Sequence, residues 1–119
     1  MTNYSKANEI TARECGVQVK YLKDEPTFLA IVDGYNSGLN DSVGLFSGDE
    51  WTISDPRCRE IIREKFGIET GYSNNGNWTT WTAKDFKNTD VNHSCEGKTI
   101  AEAEIATILA IVEELDNER

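Results

Sequence analysis

The chain has 119 residues, 38% of them hydrophobic and 28% charged, which excludes a disordered chain and predicts a single domain, residues 1–119. Its 12 basic and 21 acidic side chains give a net charge of −9, a field that repels phosphate backbones and argues against direct nucleic-acid binding. The charge fits two alternatives, ordinary solubility or an acidic surface that docks on a basic partner.

The first half of the chain predicts a short helix followed by a hairpin. Residues 5–15 carry apolar side chains at helical spacing, and Gly16 follows where a helix can end. Residues 17–22 alternate between apolar and polar, and residues 27–32 are apolar, so both segments predict strands. The glycine-rich stretch 33–50 predicts a long, mobile connection.

A middle helix is the clearest local signal in the sequence. The Ser-Asp-Pro step at residues 54–56 supplies an N-cap and a proline at the first helical position. An apolar stripe then runs from Cys58 to Phe66, and Gly67 stands where the helix should end. The position of Cys58 on this stripe predicts a core thiol.

A second hairpin follows the middle helix. An Asn-Gly step at residues 75–76 separates the segments 68–72 and 78–83, both of which are rich in residues that favour strands. Because side chains alternate along a strand, Trp78 and Trp81 are expected on opposite faces.

The C-terminal part of the chain predicts a long apolar helix. Residues 86–97 are polar and predict a loop, after which Thr99 and Glu102 match a capping box that opens a helix to about Leu115. Its apolar surface is wide enough to predict burial in the core or against another subunit. Together these elements predict an α+β fold, in which an antiparallel sheet carries two main helices and a short N-terminal helix is added.

The sequence offers little for catalysis or for a metal. His93 is the only histidine, and its neighbours Ser94 and Cys95 form no known arrangement of nucleophile and base. The cysteines have no paired-ligand spacing, so neither a metal nor a cofactor is expected. The chain is therefore predicted not to be an enzyme.

The cysteine usage predicts a cytoplasmic protein, as does the lack of an apolar run that could span a membrane or serve as a signal peptide. Cys15, Cys58 and Cys95 form an odd, widely spaced set that suits a reducing compartment better than a secreted disulfide framework. No apolar run is long enough to cross a membrane, and residues 1–6 lack the pattern of a signal peptide.

Binding of a small anion has a physical basis at the start of the middle helix. The free N–H groups and the dipole of a helix N-terminus favour an anion there, and Arg57 and Arg59 add fork-shaped donors. Asp55 and Glu60 bring like charge to the same place. A capped surface helix with ordinary arginines therefore stays open as the alternative.

A nucleotide ligand would also need an aromatic surface. Trp51, Trp78 or Trp81 could stack on a base, a contact worth about 1–3 kcal/mol per base. Asn92, in the polar segment, could pair with a base edge or a ribose hydroxyl. The alternative, that each indole lies in the core, also stays open.

The order of these patterns resembles the phage ABA-sandwich family. The likeness comprises an opening segment at residues 8–15, an aromatic turn at 51–55 before an amphipathic helix, a tryptophan-containing hairpin, and residues 97–103 opening an apolar helix. The chain departs from the family's turn at Ile53, where proline is frequent. Within that group its size and layout are similar to the Thoeris anti-defence proteins of the first type.

This resemblance implies a function without chemistry. Such proteins form oligomers and sequester cyclic ADP-ribose signals in the cytoplasm of an infected bacterial host. Arg57 would hold the pyrophosphate, Trp78 or Trp81 would stack on adenine, and Asn92 would hydrogen-bond the sugar or base. The alternative function is an acidic protein–protein inhibitor, such as an anti-CRISPR or other DNA-mimic-like antidefence factor.

Overall fold

The computed structural model describes residues 4–24, 27–31, 48–72, 76–82 and 94–117, without the side chains of Trp81 and Thr82. Met1–Ile61 and Ile62–Arg119 form two compact units. The prediction of a single domain stays a prediction. In chain order the described elements are α1 (Ser5–Glu14), β1 (Gln18–Leu22), β2 (Thr27–Ile31), α2 (Pro56–Phe66), β3 (Ile68–Tyr72), β4 (Trp78–Thr82), β5 (Ser94–Gly97) and α3 (Ile100–Asn117).

Helix α1 ends at a glycine, as the sequence predicts. Gly16 has a φ of 72°, in the left-handed region that glycine adopts without a steric penalty. The N–H of Val17 donates to the carbonyl of Ala12 at 2.8 Å, which satisfies one of the last carbonyls of the helix. This closure turns the chain directly into β1.

The sheet of the first unit is larger than its two named strands. β1 and β2 pair antiparallel, and the chain just before Trp51 runs along the other edge of β2. The N–H of Ala30 donates to the carbonyl of Asp49 at 2.8 Å, and the N–H of Trp51 donates to that of Phe28 at 2.7 Å. The prediction of a mobile connection is therefore wrong for residues 48–50, because backbone pairing holds them. The rest of that stretch lies outside the described residues.

Trp51 forms the centre of the first unit's core. Its side chain is 0% exposed, and the indole Nε1–H donates to the Thr11 hydroxyl at 3.2 Å. The N–H of Ile53 donates to the Asn8 side-chain oxygen at 2.9 Å. Two polar side chains of α1 thus fix the segment that leads into α2.

The sheet of the second unit has the order β3-β4-β5, with antiparallel pairing throughout. Strand β5 contradicts the predicted loop for residues 94–97, because Ser94–Gly97 is paired with β4. Residues 86–93 lie outside the described residues. Strand β5 is short and polar, so its pairing comes from the backbone ladder and leaves no apolar alternation in the sequence.

Helix α3 packs closely on this second sheet. The Thr80 hydroxyl donates to the carbonyl of Ala103 at 3.1 Å and also pairs with the Thr107 hydroxyl. A Cβ at Gly97 would lie 2.6 Å from the backbone nitrogen of Ala103, so only glycine fits there without a shift. The close approach defines one face of the sheet as the α3 side.

The predicted capping box opens α3. The N–H of Glu102 donates to the Thr99 hydroxyl at 3.1 Å, and the Glu102 carboxylate accepts the N–H of Lys98 at 2.8 Å. The carboxylate therefore reaches one residue further back than in the usual box. The predicted helix is confirmed, and it continues to Asn117.

The α+β class is confirmed, with a short N-terminal helix and antiparallel strands. In the described residues the strands form two sheets, β1-β2 and β3-β4-β5, where one sheet was expected. No helix in that part of the chain is long and apolar enough to cross a membrane.

Candidate functional site

The start of α2 is organised around one carboxylate. Asp55 accepts the backbone N–H of Arg57 at 2.8 Å, which makes it the N-cap predicted for this helix. Its two oxygens also accept from Nε (3.2 Å) and Nη2 (2.8 Å) of the same arginine. The side chain that caps the helix thus also binds the guanidinium that was expected to hold a phosphate.

A second carboxylate completes this cluster. Arg57 Nη1 lies 3.0 Å from the Asp49 carboxylate oxygen, so the guanidinium is held between two acids. The hydrogen bond from Arg57 lowers the pKa of Asp55, and the same bond raises the pKa of Arg57 above its ordinary value. A phosphate at this position would compete with two protein carboxylates for the guanidinium.

Arg59 has a structural role in the first unit. Its side chain is buried, at 7% exposure, and Nη1 donates to the carbonyls of Ile53 and Ser54 at 3.1 and 3.0 Å. These bonds tie the helix to the turn that precedes it. The sequence offered Arg59 as a phosphate donor, whereas the structure shows it bound to backbone.

Replacing Asp55 separates its capping role from its charge. Asparagine also caps helices, so Asp55→Asn should lower the free energy of unfolding only by the small contribution of an exposed ion pair at neutral pH, and Asp55→Ala should lower it by about 1 kcal/mol more. Because the folded pKa is lowered, the charge contributes fully above the unfolded value of about 3.9 and is lost as pH falls through the lower folded value.

Urea unfolding of the wild type and Asp55→Asn from neutral to acidic pH measures this effect. The difference in free energy of unfolding should shrink as the medium becomes acidic. A difference that does not change with pH would show that the charge of Asp55 contributes nothing.

An aromatic pair lies at the end of the second hairpin. Tyr72 and Trp78 are direct partners across β3 and β4, with ring centroids 5.1 Å apart and planes at 66°. Tyr72 is 64% exposed and Trp78 is half-buried. We call these two residues the Tyr72–Trp78 pair.

The backbone register places this pair on the α3 side of the sheet. Trp78 is opposite Gly97 on β5, and it is two residues from Thr80, which bonds α3 directly. Side chains two apart on a strand share a face. The pair therefore continues the helix-covered face beyond the start of α3.

The two other indoles differ in what the structure says of them. Trp51 is fully buried, so it is a core residue and not a stacking surface. The side chain of Trp81 lies outside the described residues, as do Asn92 and His93. Arg57 belongs to the first unit and Trp78 to the second.

Tyr72 was not predicted as a site residue, although the sequence held a partial signal for it. The segments 68–72 and 78–83 end on either side of the Asn-Gly loop. Pairing the two ends that flank residues 73–77 puts Tyr72 opposite Trp78, whereas a two-residue turn at the Asn-Gly step would pair Tyr72 with Thr79, so the sequence left this contact open.

Comparison with known proteins does not assign this site. No protein-family model matches the chain, and no curated protein and no solved structure does. The resemblance to the ABA-sandwich family therefore remains a sequence-based hypothesis.

The described side chains also form no metal cluster. Within residues 4–24, 27–31, 48–72, 76–82 and 94–117, no three histidine, cysteine or acidic side chains are grouped so as to hold an ion.

Cys58 is fully buried, its thiol donates to the carbonyl of Glu50 at 3.7 Å, and burial raises its pKa to about 11. The prediction of a core thiol is confirmed.

The burial of Cys58 has a measurable consequence. A thiol with a pKa near 11 is almost entirely protonated at neutral pH, and only the thiolate reacts with alkylating reagents. Iodoacetamide should therefore label Cys58 later than the half-buried Cys15 and Cys95. Mass spectrometry of peptides measures the order, with labelling in urea as the control. Labelling of Cys58 first in the folded protein would contradict its burial.

Proposed function

We propose that this protein binds a nucleotide of the cyclic ADP-ribose type and holds it without chemical change. The Tyr72–Trp78 pair carries the proposal. It presents a 64% exposed tyrosine ring next to an indole, and the two rings meet edge to face at 66° and are not stacked on each other. Adenine can stack on an exposed aromatic ring, which contributes about 1–3 kcal/mol.

A second aromatic pair in the chain is a poorer platform. Tyr21 and Phe28 have ring centroids 4.9 Å apart on the sheet of the first unit. Phe28 is buried, so only Tyr21, at 48% exposure, faces outward. This pair serves as a matched control for the proposed site.

Sequestration makes different demands from catalysis. A protein that only removes a signal needs affinity for the ligand's ground state, and no binding energy has to be reserved for a transition state. It needs no acid, base or nucleophile at the reacting bond. The resemblance to Thoeris anti-defence proteins points to the same class of function, in the cytoplasm of a bacterial host and as a homo-oligomer.

The structure changes the role that Arg57 can have in this proposal. The guanidinium already binds Asp49 and Asp55, so a pyrophosphate gains only the difference between its own bonds and those it replaces. We therefore assign the main contribution to the aromatic contact. Arg57→Lys tests the rest, because lysine keeps the charge and loses the planar fork.

Isothermal titration calorimetry with cyclic ADP-ribose isomers tests the proposal. The wild type should bind a cyclic ADP-ribose isomer. Linear ADP-ribose, which lacks the ring closure, serves as the comparison ligand. Tyr21→Ala should bind like the wild type. Absence of heat with every isomer, together with an unchanged melting temperature, would rule the proposal out.

An acidic protein–protein inhibitor is the second candidate, favoured by the end of α3. The last turn of this helix has no basic residue, and Glu113 and Glu114 precede Asp116 there. Negative charge at a helix C-terminus opposes the helix dipole, and the acidic end of α3 offers charge to a basic partner.

Salt dependence tests this second function. An acidic inhibitor that occupies a nucleic-acid groove should compete with DNA for a nucleic-acid-guided nuclease, and the affinity should fall steeply as salt rises. Competition that is equally strong at low and high salt would argue against an electrostatic mechanism.

A further inference from the structure

An unpaired hydroxyl lies next to the Tyr72–Trp78 pair. Thr70 is two residues before Tyr72 on β3 and directly opposite Thr80 on β4. Its Oγ1 is buried and has no hydrogen-bond partner among the described residues. Buried polar atoms without a partner are rare in folded proteins, because water is lost and nothing replaces it.

The opposite residue shows what a satisfied threonine looks like in this sheet. The Thr80 hydroxyl bonds the carbonyl of Ala103 and the Thr107 hydroxyl, so packing of α3 accounts for it. Thr70 shares the face of Thr80 but has no such contact with the helix. Its hydroxyl is thus not needed to hold the sheet against α3.

The register places this hydroxyl within reach of a ligand on the pair. Residues two apart on a strand are separated by about 6.6 Å and point to the same face. A base stacked on Tyr72 or Trp78 spans a comparable length. Because Oγ1 is buried, a neighbouring side chain has to move before a ligand can reach it, and exposed side chains such as Tyr72 change rotamer within nanoseconds.

We propose that Thr70 is a specificity-determining residue whose hydroxyl hydrogen-bonds the polar edge of the bound base. This inference rests on the proposed nucleotide binding. A hydroxyl both donates and accepts, so it can pair with a ring nitrogen or an exocyclic amine. The unpaired hydroxyl then destabilises the free protein, and in the complex the bound base supplies the missing hydrogen bond.

Thr70→Val tests the proposal, since valine has the same shape without the hydroxyl. The ligand-free variant should melt at or above the wild-type temperature, because an unpaired polar group is removed. Its affinity for cyclic ADP-ribose should fall about three- to tenfold, the range of one hydrogen bond. Thr70→Ser, which keeps the hydroxyl, should retain most of the affinity.

Two results would overturn the role of Thr70. Wild-type affinity in Thr70→Val would show that the hydroxyl does not contact the ligand. A lower melting temperature in Thr70→Val but not in Thr70→Ser would show that the hydroxyl has a structural partner.

Trp78→Ala separates these outcomes from failure of the proposed function. If the wild type binds, Trp78→Ala binds more weakly and Thr70→Val keeps the wild-type affinity, only the inference on Thr70 fails. If the wild type does not bind, the proposed function fails and the role of Thr70 fails with it.

Discussion

Trp51→Ala should destabilise the protein by about 3–5 kcal/mol, a large part of the 5–15 kcal/mol typical of a domain. Trp51 is fully buried, and truncation removes its packing and leaves a cavity. The variant also removes the indole N–H, from which the Thr11 hydroxyl accepts a hydrogen bond at 3.2 Å. Urea unfolding followed by circular dichroism measures the change.

Thr11→Val is the matched control for this prediction. It keeps the indole in place but removes the acceptor of its buried N–H, together with the bond from the Thr11 hydroxyl to the Ala7 carbonyl, so the cost should be about 1–3 kcal/mol. The difference between the variants measures packing separately from the hydrogen bond. If Trp51→Ala cost no more than Thr11→Val, the assignment of Trp51 to the core would be wrong.

Trp78→Ala should reduce affinity for cyclic ADP-ribose by about 1–3 kcal/mol, or roughly 5- to 150-fold, because the stacking surface is lost. Trp78 is half-buried on a strand, so some loss of stability is expected as well. Calorimetry at a temperature where both proteins are folded separates the two effects.

Trp78→Phe and Tyr21→Ala are the controls for this binding experiment. Phenylalanine keeps an aromatic face and should recover part of the affinity. Tyr21→Ala removes an exposed ring from the other aromatic pair and should have no effect. Equal losses in Trp78→Ala and Tyr21→Ala would mean that the assay reports general stability and not a site.

Local signals allowed the helices to be predicted from sequence. The cap at Asp55, the capping box at Thr99 and the terminating glycine at Gly16 each act within a few residues. The second hairpin followed in the same way from its turn. These elements could be predicted because the residues that determine them are close together in the chain.

Contacts between distant segments could not be predicted. The pairing of Asp49 with Ala30 and that of Ser94–Gly97 with β4 use backbone groups, which every sequence has. Such pairing depends on where the fold brings two segments together. Periodicity in one segment does not contain that information.

The same distinction applies to the candidate site. Burial of Trp51 depends on Thr11, 40 residues away, so the sequence left open whether this indole stacks on a ligand or packs in the core. The capture of Arg57 by Asp49 also comes from the fold, through the segment that pairs with β2. The predicted hairpin brought Tyr72 and Trp78 to neighbouring strand ends, but the Asn-Gly step did not fix the register that makes them direct partners.

Native mass spectrometry of the protein, purified from bacterial cells in which TIR-domain defence enzymes make cyclic ADP-ribose signals, is the decisive test of the proposed sequestration. We expect oligomeric species that retain a cyclic ADP-ribose-type ligand and release it chemically intact on denaturation. We also expect Trp78→Ala, purified from the same cells, to carry much less ligand. Recovery of a hydrolysed product, or equal ligand in both proteins, would contradict the proposed sequestration.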